Sequence, residues 1–168
     1  MDVSIRPYQP GDLETCRELW RELTQRHRDI YDDQTIDGDD PGPAFDEHLA
    51  RKDIAGVWLA ERDGEVLGLC GLLVEGDSGE VEPIVVRATE RSNGIGRQLV
   101  ERTITDARER GVRFLSVQPV ARNIEAIAFF YEAGFAMLGH LDLFMELSHP
   151  GAREWKPGIT IHSHEFTY

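Results

Sequence analysis

Arg91-Ser92-Asn93-Gly94-Ile95-Gly96 stands between two different periodicities. Before it, Val81 to Val86 reads as a strand. After it, Ile95, Leu99, Val100, Ile104 and Ala107 recur at helical spacing. Two glycines at this junction let the backbone turn tightly and face several N–H groups toward one point. That point lies at the positive end of a helix, where an anion is favoured. Arg91 and Arg97 add side-chain charge, and residues 87–113 carry seven Arg against four acids in a chain of net charge -13. A pyrophosphate is the natural guest. A plain glycine-assisted helix start accounts for the same residues without a ligand. Two other phosphate motifs are excluded: no Lys follows for a Walker loop, and a third glycine is missing for a dinucleotide fingerprint.

The flanking patterns predict an α+β domain. Val3, Ile5 and Arg6-Pro7 predict an opening strand, with Asp12 as the N-cap of a helix striped by Leu13, Cys16, Leu19, Trp20 and Leu23. Residues 29–53 hold nine acids against two bases and several turn formers, with a short helix over about 43–52 burying Phe45 and Leu49. Ile54 to Glu61, Val66 to Val74 and Val81 to Val86, joined through Asp63-Gly64 and Gly76–Gly79, predict an antiparallel meander. After the glycine loop come a helix ending at Gly111, a strand around Val112–Val117, a helix over Asn123–Ala133 and two last strands, Phe135–Leu138 and Leu141–Leu147. The expected order is β-α-α-β-β-β-α-β-α-β-β in one domain over residues 1–148. The tail, 149–168, then packs on the domain or on a partner subunit. A chain of 168 residues, 40% apolar, is large enough for such a core.

The excess of acids, 31 against 18 bases, argues against a general nucleic-acid binder and against adsorption to an anionic membrane. No apolar run approaches the ~20 residues that span a bilayer. Met1 to Tyr8 shows no secretory apolar block, and Cys16 and Cys70 form no CxxC pair. These features predict a cytoplasmic chain without disulfide or metal site. His27, His48 and His140 are isolated and receive no role. His162 and His164 alternate along a possible strand, where adventitious metal binding is the expected use.

The strand Glu80–Val86 followed by R-x-x-G-x-G resembles the acyl-CoA loop of the GCN5-related N-acetyltransferases, the GNAT family. A second stretch, Asn123-Ile124-Glu125-Ala126-Ile127-Ala128-Phe129-Phe130-Tyr131-Glu132-Ala133-Gly134-Phe135, resembles that family's N-x-x-A-x-x-F-Y-x-x-x-G-F motif. The resemblance covers roughly residues 2–147 and implies a mixed, mostly antiparallel central sheet flanked by helices. It also implies acetyl-CoA as cosubstrate. Arg91, Ser92, Asn93, Gly94, Ile95 and Gly96, with Arg97, would hold its pyrophosphate. Ile84, Val85 and Val86 would bond the pantetheine arm where the strands near 80–87 and 112–118 splay. Asn123 would bond the arm, and Phe129 and Phe130 would line the thioester end.

The resemblance further implies direct acetyl transfer to a primary amine on a small molecule or peptide. Glu80 and Glu82 share a strand face with Ile84 and are the candidate bases. Glu82 is preferred because it sits nearer the expected thioester. The family's usual tyrosine acid is replaced by Phe130. Tyr131, one residue later, is about 100° away around a helix. It remains a candidate acid beside water or an unassisted thiolate, whose thiol pKa is about 8.5. That departure leaves open an acyl-CoA-binding protein without efficient turnover. The acidic 29–53 segment is either a wall favouring a cationic acceptor or a solvated loop. Apolar residues in the tail, including Trp155, Ile159 and Phe166, point to docking, and a homodimer is expected.

Overall fold

A computed structural model of the chain describes residues 2–145, 147 and 155–168. It forms two compact units, one reaching Gln118 and the other running from Pro119 to Tyr168. The first unit contains β1 (Ser4–Pro7), α1 (Leu13–Tyr31), α2 (Ala44–Leu49), β2 (Ile54–Arg62), β3 (Glu65–Glu75), β4 (Ser78–Val86), α3 (Ile95–Glu109) and β5 (Phe114–Ser116). Its sheet runs β1-β2-β3-β4-β5, antiparallel except for the parallel β4–β5 pair.

The burial follows the sequence pattern. The near-continuous apolar run of β3 is buried from Val66 to Leu73, as expected for a strand covered on both faces. In β4 the residues alternate, with Gly79, Val81, Pro83 and Val85 buried and Glu80, Glu82, Ile84 and Val86 half-buried. Asp63 and Gly64 both take left-handed φ, 54° and 82°, which suits the turn joining β2 to β3. Cys16 and Leu19 of α1 pack with Phe45, Val57, Leu59, Leu69 and Val85 in one core. Asp12 stands at the N-cap position of α1 without capping it. Its carboxylate instead accepts from Arg6 Nη1 and Nη2 at 2.8 Å each and from the Gln9 N–H at 2.8 Å, tying β1 to the turn before the helix.

β5 is shorter than expected. Val112 is spent on ending α3: its N–H bonds to the Ala107 carbonyl at 3.0 Å while Gly111, at φ 78°, bonds to Arg108.

The second unit contains α4 (Ile124–Glu132) and a hairpin of β6 (Pro157–Ile161) and β7 (His164–Thr167). The order of elements is the expected one, but its last two strands are not where the apolar pattern put them. Phe135–Leu138 is irregular, and so are the described residues of Leu141–Leu147. Gly134, at φ 103°, and a bond from the Phe135 N–H to the Phe130 carbonyl at 3.0 Å turn the chain back as it leaves α4. Met137 is 90% exposed and Leu143 69%, with no strand partner among the described residues. The 157–167 hairpin needs only a local closure. His162 and Ser163 form its two-residue turn, at φ 49° and 66°, so His162 is a turn residue and does not share a strand face with His164. No helix among the described residues is long and apolar enough to cross a membrane.

Candidate active site

β4 pairs with β5 only over Ser78–Glu80 and then continues to Val86 with β3 on its other side. The two strands therefore part at Glu80, and the main chain of Ile84, Val85 and Val86 lies beyond the ladder with β5. A bulge sits in the same stretch. Leu72 pairs with Val81 and Cys70 with Ile84, so Gly71 faces Glu82 and Pro83 together. A Cβ on Gly71 would overlap the Glu82 carbonyl, which is why glycine stands there.

The chain beyond β4 is pinned before it reaches α3. Arg87 donates to the Val66 carbonyl at 3.0 Å, to Glu22 at 2.9 Å and to Glu18 at 3.2 Å. Arg91 donates back to the Val86 carbonyl at 3.2 Å. Ser92 and Gly94 take left-handed φ, 63° and 77°, and α3 starts at Ile95 with no side chain capping it. Ile95 is buried and anchors the start, while Ser92, Asn93, Gly94 and Arg97 are exposed. The first-turn N–H groups of Ile95, Gly96 and Arg97 have no intrahelical acceptor. Among the described residues Arg97 pairs only with Glu101, an exposed pair at 2.9 Å weak enough to exchange for a ligand. Gly94 has nothing within 4 Å of where a Cβ would stand. An open, uncapped helix start of this kind fits a pyrophosphate.

At the parting of β4 and β5, Glu80 and Glu82 meet residues from the segment between α2 and β2. Arg51 grips Asp53 at 2.7 Å and reaches the Glu82 carboxylate at 3.5 Å. Burial, then the Glu82 charge, raises the Glu80 carboxyl above the ordinary glutamate range. Arg51 opposes that shift. His48 of α2 is buried beside the bulge, and desolvation, then Arg51, pushes its ring down to about 4. None of His48, Arg51 and Asp53 was legible as a site residue. The one available signal was the i, i+3 spacing of Phe45 and His48, which puts both on the inner face of a short helix.

The second unit holds the remaining expected residues. Asn123 caps α4, its side-chain oxygen accepting the Ala126 N–H at 3.1 Å. Phe130 is 5% exposed and stacks edge-on with Phe129 and Phe135 at 5.1 and 5.7 Å. Tyr131 is 67% exposed, as the ~100° step around the helix predicts. Three acids of the 29–53 segment are tied to α1. Asp40 pairs with Arg21 at 2.8 Å, Asp46 with Arg17 at 2.5 Å, and Asp37 accepts from Thr24 at 3.2 Å.

Residues 14–135 match the Acetyltransferase (GNAT) family. The chain is 37% identical over 109 residues to an IAA acetyltransferase of Azospirillum brasilense, covering 58% of this chain and 70% of that one. It is 28% identical over 151 residues to a mycothiol acetyltransferase of Cellulomonas flavigena, covering 80% of this chain and 40% of that longer protein. Among solved structures, the PaiA N-acetyltransferase of Thermoplasma acidophilum in complex with coenzyme A aligns with a TM-score of 0.69 at 19% identity. That alignment covers 99% of this chain and 97% of the other. The chain belongs to the GNAT acetyltransferases, a family that moves acetyl groups from acetyl-CoA to amines, and acetyl-CoA is its cosubstrate.

The loop geometry gives a first expected outcome. Gly94→Ala meets no neighbour, so its cost lies in the left-handed φ, ~1–2 kcal/mol for a residue with a Cβ. Relief of that strain turns the loop away from its ligand-ready form. Calorimetry should find acetyl-CoA bound about tenfold more weakly, since ~1.4 kcal/mol is a factor of ten. Unchanged affinity removes the loop from the cosubstrate site.

Proposed function

We propose that this chain is an N-acetyltransferase that moves the acetyl group of acetyl-CoA directly to a primary amine on a small molecule or peptide. One observation carries the reading: β4 parts from β5 at Glu80 and leads through a pinned loop to an uncapped helix start. In this reading the loop Arg91–Gly96 and Arg97 hold the pyrophosphate, and the main chain of Ile84, Val85 and Val86, beyond the ladder with β5, receives the pantetheine arm. The Val86 N–H polarises the thioester carbonyl.

Glu80 takes the ammonium proton. Its carboxyl is raised by burial and the Glu82 charge, which makes it a better proton acceptor, while the Glu82 carboxylate already faces Arg51. Glu82 serves as second carboxylate of the same face. The thiolate leaves unaided, since a thiol pKa of about 8.5 makes it tolerable near neutral pH. Tyr131, exposed on α4, has no part in that step.

The same reading has the protein working in a reducing cytoplasm, supported by two free, buried cysteines, and as a homodimer, supported by the exposed apolar residues between Met137 and Leu147. The test is thiol release from acetyl-CoA with a panel of metabolite amines, polyamines, aminoglycosides and lysine peptides, with light scattering on the same preparation. Release with at least one amine, from particles of twice the 19.0 kDa chain mass, is expected. Thermal stabilisation by acetyl-CoA without release from any amine would make the protein a binder instead.

A further inference from the structure

His48 is 4% exposed, and its Nε2 has no hydrogen-bond partner among the described residues. A buried polar atom left unpaired costs ~1–3 kcal/mol, so it persists only where a partner is close in the working state. The neighbourhood names that partner. Nε2 stands 3.1 Å from the point a Cβ on Gly71 would occupy, and the same point overlaps the Glu82 carbonyl. Glycine at 71 thus lets one ring nitrogen and one main-chain oxygen approach the same point, which any side chain would occupy.

The ring is firmly placed. Trp20 and Phe45 lie 5.5 and 6.4 Å from it, centroid to centroid. Its burial keeps it neutral with a single N–H, and the partner of one nitrogen decides which carries it. Just beyond α2, Arg51 reaches the Glu82 carboxylate. His48 at the carbonyl and Arg51 at the carboxylate therefore address Glu82 from both ends, at the bulge where β4 has just parted from β5.

We propose that His48 is a positioning residue for acetyl transfer: its Nε2–H donates to the Glu82 main-chain carbonyl and fixes the bulge that aims the Glu80–Glu82 face of β4. The inference rests on the transferase reading above.

Two readouts test it. Long-range proton–nitrogen NMR of the His48 ring should show the Nε2–H tautomer, with that proton protected from exchange. An Nδ1–H tautomer overturns the proposal, whether or not an acceptor amine has been found. The second readout is kinetic. His48→Phe keeps the ring and loses the donor, whereas His48→Gln offers an amide N–H at similar reach. His48→Phe should lower kcat about tenfold or more with acetyl-CoA affinity little changed, and His48→Gln should recover most of that loss. Equal kcat in the two variants, both intact or both impaired, overturns it. If His48→Phe does not fold, the ring tautomer of the native protein decides. Thiol release failing with every amine sinks the transferase reading and leaves the tautomer result standing.

Discussion

Glu80→Gln should lower kcat/KM for the acceptor amine by about 10²- to 10⁴-fold near neutral pH, the usual worth of a well-placed base. A primary ammonium cannot attack a thioester until it loses a proton. Near pH 7 almost none has done so, since an ordinary alkylammonium titrates at about 10.4. A base works in its deprotonated form, so rate rises with pH through the base's own pKa. Burial and the Glu82 charge raise that pKa for Glu80, which moves the acid limb of the profile to higher pH. In the Gln variant this limb disappears. The deficit then shrinks as pH climbs and the amine deprotonates in solution. Glu82→Gln should cost less, because Arg51 already engages that carboxylate at 3.5 Å. A Glu80→Gln enzyme with the wild-type pH–rate profile would show that Glu80 is not the base.

The parts of the site visible in sequence are those encoded within a few residues. Gly94 announces itself because a left-handed φ at a helix start selects glycine, and the alternation Glu80-Val81-Glu82 puts both carboxylates on one face whatever the partner strand. The meander was legible for the same reason: Asp63-Gly64 is a turn chemistry, not only a composition. Strand pairing over long separations is a different matter. Leu141, Leu143 and Met145 alternate as a strand would, but alternation does not specify a partner, and the pairing formed locally across His162-Ser163. His48, Arg51 and Asp53 were invisible because only the packing of α2 and the β2 entrance on β4 gives them neighbours. An isolated histidine carries no pattern, and its burial is a property of the core around Phe45.

That core is the subject of the second large effect. Phe45→Ala should destabilise the protein by about 3–5 kcal/mol in urea unfolding, the range for deleting a fully buried aromatic ring. Phe45 is 0% exposed and meets Tyr8, Trp20 and His48 with centroids 5.8, 6.0 and 6.4 Å away. α2 has only 6 residues and no side-chain cap, far too short to hold itself as a helix. Its ion pair with α1, Arg17–Asp46, is part-exposed at both ends and worth ~0–1 kcal/mol. Burial of one ring therefore outweighs the ion pair several-fold, and the ring decides whether α2 stays down. Phe45→Leu, which keeps most of the volume, should cost about 1.5 kcal/mol or less. Because His48 and Arg51 reach β4 from the end of α2, Phe45→Ala should also reduce turnover in the fraction that remains folded. A loss below about 1 kcal/mol would mean that the ion pair and the chain on either side hold α2 without the ring.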